Sequence, residues 1–185
     1  MNRKAGGVEA LEYLLAYLTA AYHSHWTTHW TSKGKNFYGD HELFARLYGT
    51  FPDEIDGLAE KMVALYGEDS VDFEGQASLI LELAQKWGGT KDRVMRAWTV
   101  ENGLQEAIAG AEDALDADDD LTLGLDNFLA GLADAHETPL YLLGQRLAPD
   151  EGAVSASRLA FLHQTKTASQ KTALRYKAAQ YLKAA

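Results

Sequence analysis

A line of apolar and aromatic residues runs along the N-terminal part of the chain at steps of four and three. Such steps keep returning to one face of an α-helix, and they are typical of the seam along which bundled helices pack. The pattern predicts a first helix from about Gly7 to about Ser32, ended by Gly34, which can take a positive φ. Two of the six seam positions are histidines, so two imidazoles are expected on a packed face. The six are Leu11, Leu15, Leu18, Tyr22, His25 and His29.

The same spacing recurs through most of the chain. Only three prolines occur, and the alternation typical of strands is absent, so the sequence predicts an all-α fold. A second helix is predicted from Tyr38–Asp40, with Asp40 as its N-cap, to Tyr66. Its apolar line keeps phase across Pro52, so we expect a bend there and no break.

The remainder of the chain predicts two further long helices and a connection that contains a short one. A connection of 22 residues between bundle helices is long enough to cross the bundle from end to end. Residues 1–150 are therefore predicted to form a four-helix bundle, and residues 151–185 a helical tail. The expected segments are a short helix at about Gly75 to Trp87, a third long helix from Thr90 as N-cap to Ala117, a fourth from Thr122 to Arg146 kinked at Pro139, and a tail helix from Ala156 to Leu182.

Composition narrows the class of protein. A length of 185 residues suits one domain with a proper core. Because the chain has no cysteine, disulfides, thiolate metal sites and cysteine nucleophiles are excluded. The N-terminal segment has no apolar run long enough for a signal core or a membrane span, so we expect a soluble cytoplasmic protein.

The charged residues are distributed unevenly along the chain. The net charge is −10, yet residues 152–185 carry six basic residues and no acidic one. An acidic body attracts cations, whereas a basic tail suits DNA or an acidic partner surface. A solvated helix or an intersubunit arm explains the tail equally well. Its basic residues are Arg158, Lys166, Lys171, Arg175, Lys177 and Lys183.

Four side chains of metal-ligand type fall between positions 29 and 60. They are His29 and His41, then Asp56 and Glu60 spaced i,i+4, and this mixture suits iron, zinc or manganese. If residues 41–60 form one helix, a rise of about 1.5 Å per residue separates His41 from Asp56 by about 22 Å. One chain then cannot close the site. Either the four residues serve unrelated places, or the histidines of one subunit meet the carboxylates of another across a two-fold axis.

His25 lies one turn before His29 on the same seam. A lone histidine on a packed face is more often a hydrogen-bonded core residue than a ligand. The core interpretation is therefore favoured, with metal binding kept as the alternative.

Residues His29 to Glu42 have the pattern H-W-x3-G-x2-F-x3-H-E, and Asp56 and Glu60 follow as D-x3-E. Together these two patterns resemble the ferroxidase signature of the Dps mini-ferritins, which are DNA-binding proteins of starved cells. Residues 105–118 and 132–147 also resemble the third and fourth helices of that family. The resemblance covers about residues 7–148 and leaves out the tail.

This resemblance implies a ferritin-like four-helix subunit assembled as a hollow homododecamer. It implies that iron(II) is oxidised between two-fold-related subunits, usually by peroxide, and that the iron(III) mineral is stored inside. His29 and His41 of one subunit would face Asp56 and Glu60 of its partner. Trp30 would lie beside the site, where the family has a tryptophan that intercepts oxidising radicals.

One ligand position departs from the family pattern, and Pro52 and Pro139 depart from its uninterrupted helices. The aspartate ligand usual four residues after the second histidine is replaced by Ala45, which leaves His41 and a shared Glu60 for the second iron. His25 and Glu42 are the nearest substitutes. Two alternatives to a ferroxidase therefore stay open: a catalytically impaired ferritin-like shell, scaffold or DNA-binding protein, and an unrelated helical bundle with a zinc or manganese site.

Overall fold

The computed structural model describes residues 5–148, and within that range it contains α-helices, one 3₁₀ turn and no strand. The predicted all-α class is confirmed. The predicted tail helix and its six basic residues lie outside the described residues. The elements are α1 (Ala5–Thr31), α2 (Phe37–Tyr48), α3 (Phe51–Tyr66), the 3₁₀ turn Glu68–Ser70, α4 (Phe73–Gly88), α5 (Arg93–Ala117) and α6 (Leu123–Arg146).

Helix α1 is the central element of the bundle. It packs against α2, α3, α4 and α5, and α5 packs in turn against α6. Four of the six predicted seam residues are buried, whereas Tyr22 and His29 are partly buried. Leu14 and Ala16, on other faces of the helix, are fully enclosed as well. Because four other helices pack against it, α1 is covered on most of its surface, although Glu9, His23 and Thr27 stay exposed.

The second predicted helix is two helices, so the prediction of a bend without a break is wrong. Helix α2 ends at Tyr48 and α3 begins at Phe51. Pro52 has no N–H and cannot donate to the carbonyl of Tyr48, which interrupts the helical hydrogen bonds. Gly49 keeps helical dihedrals (φ −66°, ψ −27°), so the apolar phase survives the break. Of the later residues of this apolar line, Phe51, Leu58 and Met62 are fully buried, whereas Leu65 is 48% exposed.

Asp40 has a different role from the predicted N-cap. Helix α2 begins earlier, after Asn36, which makes no side-chain capping bond. The Asp40 carboxylate instead accepts hydrogen bonds from Arg146 Nε at 2.7 Å and from Arg146 Nη2 at 3.3 Å. This two-bonded ion pair joins the first turn of α2, next to His41, to the end of α6.

The start of α5 also differs from the prediction. Asp92, and not Thr90, is its N-cap, with Oδ1 accepting a 2.8 Å hydrogen bond from the Met95 amide. Both residue types are good caps, so sequence preference alone does not separate them. Thr122 caps α6, as its predicted start implies, by accepting from the Leu125 amide at 3.1 Å.

Candidate metal centre

His29 near the end of α1 and His41 in α2 lie face to face. Their ring centroids are 3.7 Å apart and the ring planes differ by 21°. The Nδ1 atom of His29 lies 2.8 Å from the backbone carbonyl oxygen of His41, and Nδ1 of His41 lies 3.1 Å from that of His29. Each imidazole ring is therefore held by a hydrogen bond to the backbone carbonyl of the other histidine.

These two hydrogen bonds determine where the ring protons lie. A carbonyl oxygen only accepts, so each Nδ1 must carry the hydrogen and donate. In the neutral rings, each Nε2 then keeps its lone pair. Within residues 5–148 no hydrogen bond engages either Nε2. A metal-ligating histidine is typically held in this way, because its second nitrogen orients the ring and fixes the tautomer.

Asp56 and Glu60 lie one turn apart on α3, and both are exposed. Side chains at this spacing share one face of a helix. Across the described part of the chain, no three or more histidine and carboxylate side chains are grouped so that they could hold a metal ion. The subunit thus brings the two predicted histidines together, but it does not add the two predicted acids to them.

Aromatic side chains surround the histidine pair. The Tyr48 ring meets His29 edge to face at 5.3 Å, and Trp26 lies between Tyr48 at 6.1 Å and Trp30 at 4.4 Å. Trp30 itself is 59% exposed. An aromatic surface that opens to solvent beside two imidazole nitrogens is suited to contact with another subunit.

His25 belongs to a separate, buried chain of hydrogen bonds. Its Nε2 lies 2.8 Å from Oε1 of Glu101, whose Oε2 lies 2.7 Å from Nδ1 of His136. Nε2 of His136 reaches Oε2 of Glu54 at 3.1 Å. His25, Glu101 and His136 are buried, and the four residues come from α1, α5, α6 and α3. We call these four residues the buried His–Glu chain.

The protonation states in the buried His–Glu chain follow from the hydrogen bonds between its members. Burial alone would raise the pKa of Glu101, but hydrogen bonds from the two histidines lower it, so this carboxylate is ionised. Burial alone would lower the pKa of His136, but its hydrogen bonds to Glu101 and Glu54 raise it from 6.5 to about 9. His136 is therefore a buried imidazolium between two carboxylates. His25 donates from Nε2, and its buried Nδ1 has no hydrogen-bond partner among the described residues.

The sequence reasoning missed Glu54, Glu101 and His136. A signal for the last two was present, since Glu101 precedes the buried Leu104 by three residues and His136 follows the buried Leu132 by four. Charged or titratable residues in phase with apolar neighbours are expected to be buried, and buried charges are expected to be paired.

The raised pKa of His136 predicts how stability depends on pH. A folded-state pKa of about 9 against 6.5 gives stability that is fully present below pH 6.5 and lost as pH rises through 9. We expect the free energy of unfolding to fall by about 1–3 kcal/mol across this window, since one pKa unit corresponds to about 1.4 kcal/mol. Urea unfolding at several pH values measures the slope of the free energy of unfolding against pH. The variant His136→Gln should lose it and His23→Gln, exposed on α1, should keep it; an equal slope in His136→Gln would contradict the assignment.

The arrangement of the long helices, with the short α4 between the second and third of them, is a ferritin-like four-helix bundle, as the sequence predicted. No family model matches the chain, and neither does any curated protein. Among solved structures, the chain is similar to the X-ray structure of Dps from Thermosynechococcus elongatus, with a TM-score of 0.66 and 20% sequence identity over 80% of this chain and 94% of that chain. At this identity the likeness shows the fold, which is Dps-like. No helix within residues 5–148 is long and apolar enough to cross a membrane.

Proposed function

We propose that the chain is a Dps-like iron-binding protein that oxidises iron(II) at sites between subunits and stores the product inside a homo-oligomeric shell. The observation that carries this proposal is the His29–His41 pair, in which each Nδ1 donates to a backbone carbonyl and each Nε2 keeps a lone pair. Imidazole nitrogen and carboxylate oxygen together suit iron(II).

The two acids complete the site from a second subunit. Asp56 and Glu60 are exposed on α3 and lie apart from the histidine pair of their own chain. A two-fold contact that brings α3 of one subunit to the histidine pair of its partner forms the same site twice. His29 and His41 then bind iron from one side, and Asp56 and Glu60 of the partner subunit bind it from the other.

The reaction proposed at this site is metal-centred. Two iron(II) ions each give up one electron, and one hydrogen peroxide molecule accepts both with two protons and leaves as two water molecules. The protein supplies ligands and position, while an overall charge of −10 raises the local concentration of the cationic substrate. The Dps-like fold supports a hollow, dodecameric shell, and the basic tail outside the described residues is the proposed contact for DNA.

A catalytically impaired shell is the second candidate, and Ala45 is the observation that favours it. Ala45 lies on α2 one turn after His41 and offers no donor atom. His25 offers only its buried Nδ1 as a substitute, because its Nε2 donates to the buried Glu101 at 2.8 Å. Glu42 is exposed on α2 beside His41 and is the remaining substitute.

Iron oxidation separates the two candidates. The protein is loaded anaerobically with iron(II), peroxide is added, and ferric absorbance is followed. A ferroxidase should exceed protein-free buffer, and the double variant His29→Ala/His41→Ala should lose at least about tenfold in rate, since even supporting residues of metal sites are worth that much. His23→Ala, exposed on α1, is the matched control and should keep the wild-type rate. A rate of iron oxidation by the wild-type protein equal to that of protein-free buffer would contradict the ferroxidase and leave the catalytically impaired shell.

A further inference from the structure

A groove of about 240 Å³ lies where α1, α4 and α5 meet, away from the histidine pair. Its α1 wall includes His23, Ser24 and Thr27, its α4 wall includes Trp87, and Arg96 of α5 contributes the positive charge. No aspartate or glutamate lines it. The one lining residue with a fixed charge is therefore cationic, in a chain with a net charge of −10.

Arg96 has no counter-charge among residues 5–148. It is half-buried, and its interaction with the described residues is a long hydrogen bond of 3.3 Å from Nη2 to Thr28 Oγ1. No carboxylate of residues 5–148 lies within ion-pair distance of its guanidinium. Burial lowers the pKa of Arg96, and the nearby positive charge of Arg93 lowers it further. Removing a charge from water without pairing it costs free energy, which an anion in the groove would offset.

The side chains of the other polar residues of the groove form no hydrogen bond with the described part of the chain. The hydroxyls of Ser24 and Thr27 and the ring nitrogens of His23 make no hydrogen bond to any described residue. Hydroxyl, imidazole and guanidinium groups can all donate, and an oxyanion offers several acceptor oxygens. The groups lie on neighbouring positions of one α1 face, opposite an arginine whose planar fork suits phosphate oxygens.

We propose that this groove binds a small tetrahedral oxyanion of the phosphate class, with Arg96 as the charged anchor and Ser24 and Thr27 as neutral donors. Free phosphate fits better than the backbone of a nucleic acid, because the groove holds one arginine and is walled by apolar residues of α4. A duplex backbone is bound by many basic residues spread over a surface. The inference does not depend on the proposed iron chemistry.

Equilibrium dialysis of the full chain with radiolabelled inorganic phosphate, at an ionic strength held constant with chloride, tests the proposal. Wild-type protein should bind about one phosphate per chain in a saturable manner. Arg96→Gln should raise the Kd at least about tenfold, as expected for loss of a charge-assisted pair. Arg46→Gln, which removes an exposed arginine of α2, should leave the Kd within about twofold because Arg46 lies outside the groove. Absence of saturable binding, or equal binding by Arg96→Gln, would overturn the proposal.

A second variant guards against a folding defect in Arg96→Gln. Ser24→Asp places a carboxylate in the groove beside Arg96, where it should compete with phosphate and weaken binding to a similar degree. Short duplex DNA at equal phosphate concentration is the comparison ligand and should not displace the label. DNA binding that is lost in Arg96→Gln, without saturable binding of free phosphate to wild-type protein, would show that the groove serves nucleic acid instead. Iron oxidation by Arg96→Gln should match wild type, so failure here is distinct from failure of the proposed function.

Discussion

Glu101→Ala is expected to lower the free energy of unfolding by about 3–5 kcal/mol, the usual cost of removing one partner from a buried ion pair. Glu101 is fully buried and accepts from His25 at 2.8 Å and from His136 at 2.7 Å. Removing the Glu101 carboxylate leaves the His136 imidazolium paired with Glu54 alone. It also leaves both ring nitrogens of His25 without a hydrogen-bond partner among the described residues. Thermal unfolding and urea unfolding at pH 7 measure the loss.

Glu106→Ala is the matched control for this prediction. Glu106 is exposed on the same helix, so its removal should change the free energy of unfolding by no more than about 0.5 kcal/mol. Replacing both Glu101 and His136 by leucine should restore part of the lost stability, because burying apolar groups avoids the stranded charge. A loss no larger for Glu101→Ala than for Glu106→Ala would show that the buried His–Glu chain does not hold the four helices together.

The helical fold could be predicted from the sequence because the periodicity of apolar residues reports which face of a helix is buried. Phe51, Leu58 and Met62 are buried as their phase requires. The break between Tyr48 and Phe51 was missed because periodicity does not report whether successive hydrogen bonds continue. Gly49 and Thr50 keep helical dihedrals, so the apolar periodicity continues from α2 into α3. Pro52 interrupts only the helical hydrogen bonds.

The candidate site could be predicted only in part. Residue type and spacing single out His29 and His41, and Gly34 takes the predicted positive φ, 96°, in the connection that follows α1. The reciprocal hydrogen bonds to backbone carbonyls depend on how that turn places α2 against α1, which side-chain types do not reveal. Glu101 and His136 were missed for a related reason, since their pairing depends on the register between α5 and α6. Arg96 gives no signal in sequence, because the absence of a carboxylate beside it, among residues 5–148, is known only from the folded structure.

Subunit mixing gives the second large effect that we expect, and it tests where the four iron ligands come from. His41→Ala subunits and Asp56→Ala subunits should each assemble with no complete site and oxidise iron(II) slowly. In a pair that contains one of each, one site loses both a histidine and an aspartate, and the other keeps all four ligands. With random pairing, about half of the pairs are mixed and about one quarter of all sites are intact.

Co-expression of the two differently tagged variants should therefore restore about one quarter of the wild-type rate of peroxide-driven iron oxidation. The matched control is co-expression of His29→Ala with His41→Ala. Each site of that mixed pair still lacks one histidine, so no recovery is expected. If all four ligands belonged to one chain, neither mixture would recover, because every chain would carry its own defect. Recovery in the first mixture and none in the second requires that two imidazoles from one subunit and two carboxylates from its partner bind the same iron.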